Sequence, residues 1–196
     1  MHIVFDWVLS VLGDIDTETV HTKLQLQRPS VRIRNPSTNE VLRTTNSNVP
    51  DLLTLHAGLL PSPIAVPQAT LSVYYRRGQP FPGTPAFTFT IACEHGEVRL
   101  VAPSGPSLET AKDDEPVQIH VHWYEDDRVE EVTWEWTDAQ KELPLMARSI
   151  WRTLETFADG KGEGEGWVAL EDAARRAVLI EGFLSGWDAE SKSGKE

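Results

Sequence analysis

The chain has 196 residues, 40% of them hydrophobic and 24% charged, a balance that fits a soluble globular domain and excludes a disordered, fibrous or membrane-embedded chain. Its 30 Asp+Glu against 18 Lys+Arg leave a formal net charge of −12, a field that repels phosphate backbones, so nucleic acid is not an expected partner. No run approaches the roughly 18 apolar residues of a membrane span, MHIVFDWVLSVLGD lacks a basic n-region and cleavage site, and Cys93 is the only cysteine, so a reducing, cytoplasmic setting without membrane contact is expected.

Residues 3–12 place Phe5, Val8, Leu9 and Leu12 on one helical stripe, with Gly13 at the position that follows a helix end. Alternation then predicts strands at 22–27 and 30–34, with Leu24, Leu26, Val31 and Ile33 on one side. The turn-rich segment 35–48 surrounds a weak strand, LTLH ending at His56 is a further strand, and the Pro- and Gly-rich 57–68 reads as a loop. Thr70–Arg77 and Ala86–Cys93 carry strong strand signals, joined by the proline-stiffened GQPFPGTP; the thiol of Cys93 ends an apolar run and reads as buried and inert.

A turn at 94–97 leads to a strand at 98–101, and 103–116 is a polar surface excursion. Val117–Tyr124 and Val129–Trp136 then pair as a hairpin centred between Asp126 and Asp127. That register sets His122 opposite Glu131 and His120 opposite Thr133, and matches Val117, Ile119, Val121 and Trp123 with Val132, Trp134 and Trp136. From Pro144 the period turns helical, with Ile150, Trp151, Leu154 and Phe157 on one stripe and Gly160 as the stop. GKGEGEG is a connector, and a last helix over about 170–186 is expected to bury Ala173, Ala177, Ile180 and Leu184. The order predicts one α+β domain over 1–188, an open, mostly antiparallel sheet with helices on one face, and a disordered tail at 189–196. No βαβ alternation and no GxGxxG is present.

Five stretches in register carry a resemblance: Asp6-Trp-Val-Leu-Ser-Val-Leu-Gly13, Tyr75-Arg-Arg-Gly-Gln-Pro-Phe-Pro-Gly83, Phe89-Thr-Ile-Ala-Cys-Glu-His-Gly-Glu-Val-Arg-Leu100, Phe157-Ala-Asp-Gly160 and Trp167-Val-Ala-Leu-Glu-Asp-Ala173. Over nearly its whole length the chain resembles the C-terminal domain of fungal members of the glucose–fructose oxidoreductase/inositol dehydrogenase (Gfo/Idh/MocA) family. The resemblance implies that fold, and it implies a preceding Rossmann half that binds NAD(P) in complete members. This sequence shows neither that half nor the family's E-K-P segment, so no cofactor is expected. The family's acid/base histidine, three residues before the aspartate matched by Asp6, falls on Ile3, and His2 stands one residue earlier.

His2 and Asp6 are four apart, so on one helix face they can pair and orient a general acid/base; a frayed terminal histidine is the competing account. Tyr74, Tyr75, Arg76 and Arg77 put a phenol and a cation on each face of one strand, chemistry suited to an anion or polarised carbonyl, or to a subunit interface. The expected catalytic set is thus His2, Asp6, Tyr75 and Arg77, with Tyr74, Arg76, Phe81 and Trp7 against a small-molecule substrate. His120 and His122 share a strand face and with Glu131 could hold zinc, yet that spacing is common and nothing supplies supporting partners behind the ligands, so no metal is expected and a solvated or interface face is the alternative.

Three functions follow. The first is a cofactor-independent isomerase, dehydratase or cyclase in secondary metabolism. The second is a non-catalytic regulator that binds protein, and the third is a separate subunit of an NAD(P)-dependent oxidoreductase. An open sheet face must be covered, which predicts a homodimer through that face.

Overall fold

A computed structural model describes residues 2–78, 81–105, 115–160 and 169–193, which form two compact units, 1–79 with 173–196, and 80–172. The middle of the expected surface excursion (106–114) and the connector with Trp167 (161–168) lie outside the described residues.

The first unit opens with α1 (His2–Leu12), which buries Phe5, Val8, Leu9 and Leu12 as the stripe predicts. Gly13 closes it at φ 92, donating its N–H to Leu9 O at 2.9 Å, a conformation that only glycine adopts cheaply. Three strands follow in one antiparallel sheet of order β1-β4-β5: β1 (Ile15–Gln25), β4 (Leu52–Leu59) and β5 (Thr70–Arg76). β1 starts well before the expected Thr22 because a bulge between Asp16 and His21 lets a polar run stay in the ladder; there the Thr19 hydroxyl takes the Gly58 N–H at 2.8 Å. One face carries Ile15, Leu24, Leu53, Leu55, Ala57, Leu59 and Leu71, all buried, and the other carries His21, Lys23, Thr54, His56, Ser72, Tyr74 and Arg76.

The segment expected as loops around a weak strand is instead half of a two-stranded antiparallel ribbon, β2 (Ser30–Arg34) with β3 (Val41–Asn46), that pairs with no other strand among the described residues.

The helix α4 (Leu170–Ser193) runs past Gly186, since Ala, Glu and Lys near its end favour continuation. Its expected buried stripe is corrected. Ile180 and Phe183 are buried, whereas Ala173, Ala177 and Leu184 are exposed. The helix is apolar on several sides, so its pattern does not select a face; the Phe5–Phe183 ring contact at 5.8 Å, Arg175 on Asp14 at 2.7 Å and Arg176 on Ser10 at 3.1 Å do.

The second unit holds a four-stranded antiparallel meander, β6 (Phe87–Ala92), β7 (Gly96–Ala102), β8 (Gln118–Trp123) and β9 (Arg128–Glu131). The hairpin register differs from expectation by two residues: Trp123 pairs with Arg128, His122 with Val129 and His120 with Glu131. Asp127 accepts a left-handed φ of 54, which allows a four-residue loop, Tyr124–Asp127, in place of the symmetric turn assumed. β9 ends at Glu131, so Trp134 and Trp136 do not extend the ladder; Trp134 Nε1 donates to Val117 O at 2.8 Å and stacks edge-on against Trp136 at 5.3 Å. Cys93 is exposed, not buried, because it lies past the end of β6 where the chain turns toward Gly96.

α2 (Asp138–Lys141) begins with a capping box between Thr137 and Gln140, and α3 (Leu145–Ala158) follows. α3 is inverted relative to its sequence pattern. Ile150, Trp151, Leu154 and Phe157 are 54%, 42%, 57% and 67% exposed, whereas Thr156 is 1% exposed. Polar bonds pin the other side: Gln140 Nε2 donates to Arg148 O at 3.0 Å, and Arg148 Nε to Leu143 O at 3.1 Å. Among the described residues no helix is long and apolar enough to cross a membrane.

Candidate functional site

The expected catalytic cluster is only partly visible. The backbone of His2, Asp6 and Trp7 lies in α1, but their side chains lie outside the described residues. Tyr74 and Tyr75 alternate along β5 as expected. Tyr75 sits across from Leu53 on the buried face of the sheet and is half-buried; Tyr74, across from Thr54, is 70% exposed beside Arg76 on the opposite face. Arg77 follows the strand and uses its backbone structurally, its N–H donating to Asp51 O at 2.8 Å and its carbonyl accepting from the Arg28 guanidinium. Phe81 belongs to the second unit and is 76% exposed, within a turn that Thr84 N closes onto Phe81 O.

Within the second unit, a shallow depression of about 320 Å³ lies on the polar face of the meander, lined by Glu97, Arg99, Val101, His120, His122 and Val129. Strand register builds it: Thr90, Arg99, His120 and Glu131 form one cross-strand row, and Ala92, Glu97, His122 and Val129 the next. Arg99 Nη2 meets Glu97 Oε1 at 2.7 Å, and His122 Nε2 meets Asp127 Oδ1 at 2.6 Å. An imidazole–carboxylate pair can hold a proton, yet Asp127 is 92% exposed, so water competes for every bond in the site. Among the described residues no three His, Cys, Asp or Glu side chains converge as metal ligands.

Sequence reasoning passed over Asp51. Its carboxylate accepts from Gln27 N at 2.7 Å, Arg28 N at 3.0 Å and Arg28 Nε at 3.2 Å, fixing the base of the ribbon. The Gln27 amide first, and Arg28 second, hold its pKa below the ordinary carboxylate value. The signal was available in the concentration of arginines at 28, 32, 34 and 43, which a loop assignment does not require.

The antiparallel three-stranded sheet, the ribbon and the meander, together with the helices, define an α+β chain of open sheets, a fold like that of the C-terminal domain of Gfo/Idh/MocA proteins. Among solved structures it is similar to the transcriptional regulator Gal80p from Kluyveromyces lactis, at 14% identity and a TM-score of 0.69 over 95% of this chain. Super-repressor mutants of Gal80p from Saccharomyces cerevisiae also align over 95% of it, at TM-scores of 0.66 and 0.64 and identities of 15% and 14%. The chain spans 42% of the first of these structures and 46% of the other two. No protein-family model and no curated protein matches the sequence.

Proposed function

We propose that this chain works by binding protein rather than by turning over a small molecule. The observation that carries this reading is α3, whose apolar stripe of Ile150, Trp151, Leu154 and Phe157 faces outward while Thr156 is buried. A helix stabilises its unit by burying its apolar side; one that shows that side to water loses about 1.5–3 kcal/mol per large residue unless a partner covers it. The meander adds an apolar row, Phe89, Ile91, Val98, Leu100, Ile119 and Val121, none of it fully buried. Both features suit the homodimer expected from an open sheet face. The regulatory proteins that share the fold support the same reading, as an analogy of architecture.

The competing reading is a cofactor-independent isomerase, dehydratase or cyclase built on His2, Asp6, Tyr75 and Arg77. It needs an enclosed, water-poor site, and the exposure of Tyr74, Phe81 and the His122–Asp127 pair does not favour one. Sedimentation velocity across 1–100 μM protein tests the reading: a reversible dimer that Leu154→Glu with Phe157→Glu dissociates is expected. A monomer throughout, together with saturable NAD(P)H quenching of tryptophan fluorescence, would instead restore the oxidoreductase-subunit reading.

A further inference from the structure

We infer that the β2–β3 ribbon is an arm that docks on the acidic 80–172 unit of a second copy of this chain. The inference rests on the protein-contact reading above and names a surface which that reading does not use.

The ribbon is self-paired, and every residue of its two strands is exposed except the half-buried Val31. A two-stranded ribbon alone in water is marginal, because its few cross-strand contacts barely offset the entropy of ordering it. This ribbon is nevertheless built stiffly at both ends. At its base Asp51 grips Gln27 and Arg28, Ser47 N donates to Pro29 O at 2.7 Å, and Trp187 Nε1 donates to Asn48 O at 3.2 Å. At its tip Asn35 Oδ1 accepts from Ser37 N at 2.8 Å, Asn39 takes φ 59, and Arg34 donates to Asn39 O at 2.7 Å. A loop with no task would not need two such clamps; an element pre-organised for contact does.

Charge selects the occupant. The ribbon itself, residues 30–46, carries Arg32, Arg34 and Arg43 against the single acid Glu40. Residues 80–172 carry 20 Asp+Glu against 7 Lys+Arg, so the negative excess of the chain sits entirely in that unit and the remaining residues are close to neutral. Two arms meeting would repel, whereas an arm meeting the acidic unit is attracted from a distance. The ribbon also offers apolar contact through Ile33, Val41 and Leu42, the last standing at the bulge and 62% exposed. On the acidic side the β8–β9 hairpin presents exposed Glu125, Asp126, Asp127 and Glu131.

Sedimentation equilibrium of the full chain reads this out. From 50 to 500 mM NaCl the dimer Kd is expected to rise about tenfold or more, since exposed charge pairs are screened beyond roughly 3–10 Å. Arg32→Glu with Arg43→Glu, or Glu125→Lys with Glu131→Lys, should each weaken the dimer about tenfold at 50 mM NaCl. Combining the four should restore Kd to within about threefold of the parent, because the charges are then exchanged rather than lost. A dimer insensitive to salt and to both pairs, yet dissociated by Leu154→Glu with Phe157→Glu, overturns the arm and leaves the protein-contact reading standing. A quadruple variant no tighter than the double variants overturns the pairing, and a chain monomeric at all concentrations overturns both.

Discussion

Asp51 holds Arg28 twice through one oxygen: Oδ2 accepts from the Arg28 backbone N–H at 3.0 Å and from Nε at 3.2 Å, while Oδ1 takes Gln27 N at 2.7 Å. The chain changes direction between β1 and β2 at that point, and amides that have left one ladder before joining the next need acceptors. The Arg28 guanidinium continues to the carbonyl of Arg77, so one carboxylate and one cation tie three strand ends together.

A pH dependence follows from that clamp. Because the folded carboxyl titrates below its ordinary value of 3.8, its contribution is fully present above about pH 4 and is lost as the pH falls through the lower folded value. Amide exchange at Gln27 and Arg28 is expected to accelerate about tenfold in Asp51→Asn at neutral pH. The variant should also lack the further, acid-induced loosening expected of the parent as the pH falls below 4. Equal protection in both proteins at pH 7 would show that the ribbon base is held by its other bonds.

Gly96 makes a different demand. It is buried opposite Trp123, where a Cβ would run into the carbonyl oxygen of His122 in the neighbouring strand. Backbone cannot yield as a flexible side chain does, so Gly96→Ala should cost about 1–3 kcal/mol in urea unfolding. Gly83, around which nothing lies within 4 Å, provides the comparison, since there only the φ of 83 resists an alanine. If Gly96→Ala proves the milder of the two, the β7–β8 spacing is looser than described.

Local periodicity made α1, β5 and β6 legible, because each places its apolar residues at the spacing of a single element: Phe5, Val8, Leu9 and Leu12 are all buried as expected. Where the sequence misled, the deciding features were single polar contacts or backbone angles that hydrophobic periodicity does not carry. β1 extends through a polar run because Thr19 substitutes its hydroxyl for a ladder acceptor at Gly58. The β8–β9 register depends on Asp127 tolerating φ 54, which composition alone does not announce. α3 has a clear amphipathic pattern, yet the Gln140–Arg148 bond sets which side it turns inward, and the stripe that should have been core became surface. Of the expected site, the alternation of Tyr74 and Tyr75 was readable from strand period, but the use of the Arg77 backbone by Asp51 and Arg28 was not.

That inversion of α3 separates stability from binding. Leu154→Glu replaces a residue already 57% exposed, so the unfolding free energy from urea titration should move by no more than about 0.5 kcal/mol. Leu53→Ala, at a position 1% exposed, should lose about 2–5 kcal/mol. A Leu154→Glu chain that unfolds as readily as Leu53→Ala would place that side chain in a core and remove the outward stripe from consideration.

The two adjacent tyrosines allow the same separation for the expected catalytic set. Tyr75 faces the buried row of Leu53 and Leu24, and Tyr74 faces the open side with Thr54 and Lys23. Truncating Tyr75 to alanine removes a ring from the buried face of the sheet, an expected loss of about 2–3 kcal/mol, whereas Tyr75→Phe keeps the ring and should stay within about 1 kcal/mol of the parent. Tyr74→Ala, at 70% exposure, should be nearly neutral to folding. Thermal unfolding of the three variants side by side decides whether Tyr75 serves as a packing residue. If Tyr75→Ala melts with the parent, its ring contributes little to the core, and a role for its hydroxyl in proton transfer or substrate contact becomes the better explanation of its place in the strand.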